Sequence, residues 1–507
     1  LGPGELAGQG TMFAAAGLVG RKRRGGGGVP LVGRRSLTDA VPEVPEAAGE
    51  PGERVIAAAF GGKSVFGEFS GLARQLGSSC CDLGQGFPNF DPPDFVVESL
   101  RQELESQTDG GPRTRHQYTR TAGHGHLVEV LAARYGAHLG RTIDPLHEVA
   151  VTGGATGGLF LALQACLARG APERTEIVAL EPFFSLYQSQ ANGLNAKLRT
   201  VPLSYDEEEG CFLFDAAAAE ALKRTLEPKT AALIVNTPHN PTGKAFSEEE
   251  LLAIAEIVKQ HPDIAVISDE VYKYMIFDPP HGDEAALQDT AYGHCHFAKL
   301  PGMWDQTITV SSAGKTFGIT GWQIGWLVAP EHFMQPIQKF MPNLQFCAPT
   351  LMQASLGRVL QQASEPYEGH SSYYAWLRQD YMRRRELMTS ALEDVGIKIA
   401  RSQGGFFLLA DISSLSGPDG PLAAYWEEAT RPDEPRDWAF CRALAAAVGV
   451  VTLPVSPFFS EATPDSVRTR FARFCFAKTD ATLEEARTRL QRLKAMAPVK
   501  APAAKAR

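Results

Sequence analysis

Seven short β-branched runs, separated by stretches of helical periodicity, constrain this chain more than any other feature. They are Glu148 to Thr152, Glu176 to Leu180, Leu198 to Leu203, Ala231 to Asn236, Ile264 to Ser268, Thr307 to Ser311 and Trp322 to Val328. Each is short and mostly apolar, as a strand buried on both faces is. Strands of that kind alternating with helices predict an α/β domain around a largely parallel sheet. Ser247 and Glu250 form a capping box that predicts a helix over Glu248 to Lys259, with Leu251, Leu252, Ile254, Ala255 and Val258 on its core face. After about Gly357 the pattern turns more helical, with Tyr373 to Val395 and Glu484 to Ala495. The short strands Gly405 to Ala410, Val450 to Leu453 and Thr469 to Phe476 lie between these, and together they predict a second, α+β domain.

Composition narrows the partners. With 507 residues and 44% hydrophobic positions, the chain is long enough for two packed domains. Its 49 Lys and Arg against 58 Asp and Glu leave a net charge of -9, so no overall field draws nucleic acid or an anionic membrane. The 8 cysteines show no CxxC spacing and read as reduced thiols. The most apolar helical stretch, Leu159 to Ala168, is far short of the roughly 20 residues that span a bilayer. Neither a membrane nor a nucleic-acid partner is expected. Between Met12 and Ala40, six basic residues (Arg21, Lys22, Arg23, Arg24, Arg34, Arg35) meet one acid, Asp39. That composition reads as an organelle transit peptide, mitochondrial or plastid, with a cytoplasmic protein bearing a basic tail as the alternative. His116, His124 and His126 have no cysteine or carboxylate at ligand spacing, so no metal site is expected.

The chemistry concentrates in three segments. Thr307 to Trp326 runs from a strand into small and hydroxyl residues around Lys315, with Ser311, Ser312 and Thr316 as donors and Gly314 allowing close approach. A desolvated lysine in such a place is the usual nucleophile toward an aldehyde. NTPHNPTGK (Asn236 to Lys244) and ISDEVY (Ile267 to Tyr272) each follow a strand. Ligands of open α/β sheets bind beyond the carboxyl ends of strands, so Asn240, Asp269, Tyr272 and Lys315 are expected to converge. VTGGATGGLF leads from a strand through glycines into a helix, a cradle for a phosphate at free amides.

These segments resemble the pyridoxal-phosphate aminotransferases of the aspartate aminotransferase superfamily, and within it the kynurenine aminotransferase and glutamine transaminase K family. The resemblance covers roughly residues 60 to 495. It includes LGQGFPNFDPP, HQYTRTAG, EPFFSLY, NTPHNPTGK, SDEVY, LPGMWDQT, SSAGKTF and RFCF. It implies a fold of type I, with a mixed, mostly parallel seven-stranded sheet in a large domain over 95–357. A smaller α+β domain is then formed by 59–94 with 358–495, leaving an extension at 1–58 and a tail at 496–507. It also implies the roles. Lys315 carries the cofactor as a Schiff base and moves the substrate proton; Asp269 pairs with the pyridinium nitrogen. Tyr272 and Asn240 donate to the ring oxygen, Phe184 stacks on the ring, and Ala155, Thr156 and Ser312 hold the phosphate. Tyr118 reaches the phosphate of a neighbouring subunit, which implies a homodimer. Arg473, rather than Arg470, grips the substrate carboxylate, with Gly86 approaching it and Asn240 beside it. Phe66, Tyr118, Phe346 and Phe407 form an aromatic substrate pocket.

Departures from the family pattern bear on affinity and donor choice. The position eight residues after Lys315, usually basic, is Gln323; a histidine of the family's FHCPT motif is replaced by Cys347, and Phe66 stands where an N-terminal tryptophan is usual. The expected activity is a transaminase that moves the amino group of kynurenine, glutamine, methionine or an aromatic amino acid to a 2-oxo acid. Two alternatives accompany it. One is a cysteine-S-conjugate β-lyase at the same site. The other is a non-catalytic pyridoxal-phosphate-binding regulator, disfavoured because the first 60 residues are too short and Gly/Pro-rich for a winged helix.

Overall fold

The computed structural model describes residues 64–105, 116–170, 172–277 and 293–496. The basic N-terminal stretch, and all but Met496 of the expected tail, lie outside the described residues.

The seven runs all become strands: β1 (Val149–Gly153), β2 (Glu176–Glu181), β3 (Lys197–Pro202), β4 (Thr230–Asn236), β5 (Ala265–Asp269), β6 (Thr307–Ser312) and β7 (Ile324–Val328). They form one sheet in the order β1-β7-β6-β5-β4-β2-β3. Only β7 runs antiparallel to its neighbours; the other pairs are parallel. Alternate side chains feed two cores. Ile177, Ile234, Ile267 and Ile308 pack on one face, while Val178, Leu233 and Val266 pack on the other. This two-sided burial is why the runs are apolar throughout.

Helices cover both faces. Helix α1 (Gly154–Arg169) follows β1 and buries Leu159, Leu161 and Leu163 against the first face. Its start presses on β7 so closely that a Cβ at Gly325 would lie 2.4 Å from the carbonyl carbon of Gly154; only glycine fits there. Helix α2 (Leu186–Gly193) follows β2. Helix α3 (Glu248–Val258) opens with the expected capping box at Ser247 and Glu250 and buries Leu251, Ile254 and Val258 in the second core. Strand β6 passes directly into the short helix α4 (Ala313–Phe317), which carries Lys315. In register, Asn236 lies beside Asp269, and Asp269 beside Val310. The carboxyl ends of β4, β5 and β6 therefore present their last residues side by side.

A second, antiparallel sheet lies later in the chain, after the long helix α5 (Tyr373–Glu393). Its strands are β8 (Lys398–Ala400), β9 (Phe407–Asp411), β10 (Leu453–Pro454) and β11 (Phe471–Cys475), ordered β8-β9-β11-β10. Arg473 on β11 is paired with Leu409 on one side and Leu453 on the other.

Some boundaries differ from expectation. Residues Thr320–Trp322 form a 3-10 turn and Gln323 takes φ 52°, so β7 starts at Ile324 rather than Trp322. The last helix starts at Asp480, not Glu484, because the Thr479 side chain caps it by accepting from Thr482 N. The run from Val450 to Leu453 splits in two: Val450–Val451 pairs with Cys81–Asp82, and Leu453–Pro454 joins β11. No helix among the described residues is long and apolar enough to cross a membrane.

Candidate active site

At the carboxyl ends of β4, β5 and β6, facing the second sheet's Arg473 and Phe407, lies a cavity of about 280 Å³. Of the expected site residues, Phe66, Gly86, Ala155, Thr156, Phe184, Asn240, Asp269, Tyr272, Ser312, Lys315, Phe407 and Arg473 line it. Tyr118 and Phe346 do not. They lie outside it, largely exposed, with ring centroids 4.6 Å apart and planes tilted by 58°. The aromatic pocket expected from four residues is thus two separate pairs within one chain. Phe346 sits in a left-handed turn with φ 53° just after a helix.

Lys315 reaches into this cavity from α4. Its Nζ donates to Gly86 O at 2.8 Å. Burial pushes the amine down to about 8, with Arg473 adding to that and Asp269 opposing it. Asp269, at the end of β5, is 3% exposed. Burial raises its carboxyl to about 6, although the hydrogen bond from Tyr187 works the other way. Tyr187 Oη donates to Asp269 Oδ2 at 2.7 Å, and Asn236 Nδ2 donates to the Asp269 carbonyl at 2.9 Å. Asn236 Oδ1 in turn accepts from Asn240 N at 2.8 Å. Tyr187 and Asn236 are site residues beyond those expected. The signal for Tyr187 is its spacing of three from Phe184; for Asn236 it is its place at the end of a strand.

Arg473 closes the opposite side. It is 1% exposed; Nη1 donates to Asn240 Oδ1 at 2.9 Å and Nη2 to Gly84 O at 3.2 Å. Its Nε has no hydrogen-bond partner, and the guanidinium sits 4.1 Å over the Phe407 ring. No carboxylate among the described residues pairs with it, and burial pushes its basicity down to about 10. Arg470, three residues earlier, is the opposite case: it is held by Asp411 and by both oxygens of Glu207. A buried cation without an anion, at the wall of a cavity, is a receptor for one. The structure thus separates, on physical grounds, two arginines that only the family resemblance tells apart in the sequence.

Gly86 is required by contact rather than by a turn. A Cβ there would lie 2.9 Å from Phe407 Cζ. Its loop is further held by Lys478, whose buried Nζ donates to Gln85 O at 3.1 Å and Phe87 O at 3.0 Å. Gln323 donates from Nε2 to Thr320 O at 2.6 Å, with its Oε1 close over the start of α1. A neutral amide therefore stands beside that helix's first turn.

The sequence profile of the family described as aminotransferase class I and II matches residues 78–490. The chain belongs to this family. The human protein named kynurenine–oxoglutarate transaminase 1 is 36% identical over 421 residues, covering 82% of this chain and 92% of the relative. Among solved structures, N-succinyldiaminopimelate aminotransferase from Mycobacterium tuberculosis superposes with TM-score 0.70 at 33% identity, covering 85% of this chain and 97% of that one. A single mutant of the Thermus thermophilus aspartate aminotransferase does so with TM-score 0.68 at 26% identity, covering 85% and 97%. The fold is that of the aspartate aminotransferases, and the aminotransferase's cofactor is pyridoxal 5'-phosphate. The cavity fits it. Asp269 keeps Oδ1 clear of any partner closer than the 3.4 Å contact from Val271 N, the Lys315 amine is depressed toward neutrality, and the first turn of α1 opens onto the cavity at Ala155 and Thr156.

Proposed function

We propose that this aminotransferase takes the amino group of kynurenine or another large apolar or aromatic amino acid, glutamine and methionine included, and passes it to a 2-oxo acid in a two-stage cycle. The observation that carries this reading is Arg473, a buried guanidinium lacking an acidic partner at a cavity walled by Phe66, Phe184 and Phe407. An amino acid brings the missing carboxylate, and an apolar side chain suits the aromatic wall. The names of the curated relatives support the choice of donor.

Pyridoxal phosphate, when bound, supplies an aldehyde for amino groups and a ring that accepts the electron pair freed at the substrate α-carbon. The chain's residues divide the remaining work. The first turn of α1, with Ala155, Thr156 and Ser312, would hold the phosphate, and Phe184 would lie against the ring. Asp269, fixed by Tyr187, holds a proton at the ring nitrogen; Tyr272 and Asn240 would donate to the ring oxygen. Arg473 binds the carboxylate of the substrate and orients its α-hydrogen. Lys315 would hold the cofactor and would move the proton at the α-carbon, which needs the neutral amine that burial favours. Phe66 and Phe407 exclude water.

The same reading includes a homodimer. The exposed Tyr118 and Phe346 pair supports an arrangement in which it closes the cavity of the partner subunit. It also takes 95–357 as the cofactor-binding domain and 59–94 with 358–495 as the smaller one. The basic stretch from Met12 to Ala40 supports an organellar destination.

The test is spectroscopic and uses the full holoenzyme. L-kynurenine is expected to bleach the visible band of the bound cofactor, and a 2-oxo acid to restore it. A band left unmoved by kynurenine, glutamine, methionine and phenylalanine alike overturns the reading.

A further inference from the structure

One residue beyond Asp269 stands a second constellation that transamination does not use. Glu270 is fully buried, and its Oε2 lies 2.6 Å from His296 Nδ1 and 3.3 Å from His294 Nε2. The ligand-capable atoms of these three residues all fall within 4.8 Å of one another. The His294 and His296 rings meet edge to face, 4.6 Å between centroids. A third ring, His138, stacks on His296 at 5.1 Å and 25°. His294, His296 and His138 are 6%, 1% and 3% exposed.

The hydrogen-bond inventory of this cluster does not close. Three neutral imidazoles offer three donors and three acceptors. Among the described residues, both nitrogens of His138, Nδ1 of His294 and Nε2 of His296 lack a hydrogen-bond partner. Buried polar groups in native proteins are partnered, and a run of exceptions in one place points to a missing water or ion. The donor set chooses between them. Two neutral imidazoles and a carboxylate at short range are the ligands that zinc and its neighbours in the first transition row take. Bonds of about 2.0 Å in a tetrahedron put adjacent ligand atoms roughly 3.3 Å apart, the separation found between Glu270 Oε2 and His294 Nε2. The His296 contact needs to open by about 0.7 Å to match. The far oxygen of Glu270 accepts from Ser268 Oγ at 2.8 Å, which fixes the carboxylate as outer-shell partners of metal ligands do. Lys273, buried three residues after Glu270, has its ammonium taken by Tyr135 Oη at 2.8 Å.

We propose that Glu270, His294 and His296 form a buried site for a divalent transition-metal ion, zinc by ligand chemistry, with His138 holding the plane of His296. The ion ties the segment that begins at His294 to the carboxyl end of β5, directly behind the cofactor's anchoring carboxylate. The fourth position of the tetrahedron falls to a water, and the ion does not meet the substrate, since no part of the cluster lines the substrate cavity. None of the four residues is a neighbour of the others in sequence except His294 and His296, whose spacing of two was the one signal the chain carried.

The experiment uses tag-free, full-length holoenzyme purified without chelators. Metal content by mass spectrometry is expected to be near one ion per chain. After treatment with a chelator, titration with cobalt(II) is expected to give the visible bands of tetrahedral nitrogen and oxygen ligation. The wild-type titration alone decides: substoichiometric metal on purification, together with no cobalt band and no rise in Tm when zinc is added, overturns the site. In the double variant His294→Ala, His296→Ala the cobalt band is expected to vanish while cofactor absorbance persists. If that variant folds and binds cobalt as the wild type does, the ligand assignment is wrong.

Discussion

At the scale of single residues, the two arginines of β11 and its approach make opposite commitments. Arg470 is satisfied by Glu207 and Asp411, whereas Arg473 waits for an anion. Replacing Arg473 by Gln removes a charge-assisted contact of about 1.5–3 kcal/mol, so kcat/KM is expected to fall roughly 10- to 100-fold, read in steady-state kinetics. Arg470→Ala is expected to leave it within about twofold, because neither ion pair it breaks lines the cavity. Lys315 gives a pH dependence. Only the neutral amine attacks an aldehyde, and its depressed value near 8 places the change there. The rate of covalent pyridoxal-phosphate capture by cofactor-free protein is therefore expected to rise with pH and level off above about 8, and to be absent in Lys315→Arg. Stopped-flow absorbance checks both. Lys315, Asp269 and Arg473 were legible because each lies in a motif of its own. Tyr187 was not, because its importance is a hydrogen bond to a residue 82 positions away.

At the scale of elements, the loop from Gly84 to Phe87 is held from three directions. Arg473 takes the Gly84 carbonyl, Lys315 that of Gly86, and Lys478 those of Gln85 and Phe87. Lys478→Met keeps the length and removes the donor. It is expected to raise KM for the amino acid roughly tenfold, on the scale of one lost charged hydrogen bond, while the absorbance of bound cofactor stays as in the wild type. A collapse of cofactor binding in that variant would assign Lys478 to cofactor retention instead. The strands of the large sheet were readable because burial on both faces leaves continuous apolar runs. The short strands of the second sheet were readable only in outline. Val450 to Leu453 looks like one strand, but its halves belong to different sheets, a choice made by partners far along the chain.

At the scale of the whole molecule, the site is assembled from positions 66 to 473, so its completeness depends on the long-range closure of both sheets. The alternation of strands and helices made that architecture legible. Contacts made only by the folded chain, such as the histidines around Glu270, were not. The proposed homodimer is tested here too. Phe346→Asp places a charge in an exposed aromatic pair and is expected to shift the protein toward monomer in sedimentation velocity, with faster loss of cofactor on dilution. An unchanged dimer with unchanged retention would place the interface elsewhere. The buried guanidinium of Arg473, with no carboxylate partner among the described residues, has a practical corollary for anyone handling the enzyme. Acetate, citrate and other small carboxylate buffers are silent competitors at a receptor that discriminates by charge and fork geometry. Apparent affinities measured in them at fixed pH and ionic strength will come out weaker than in zwitterionic sulfonate buffers.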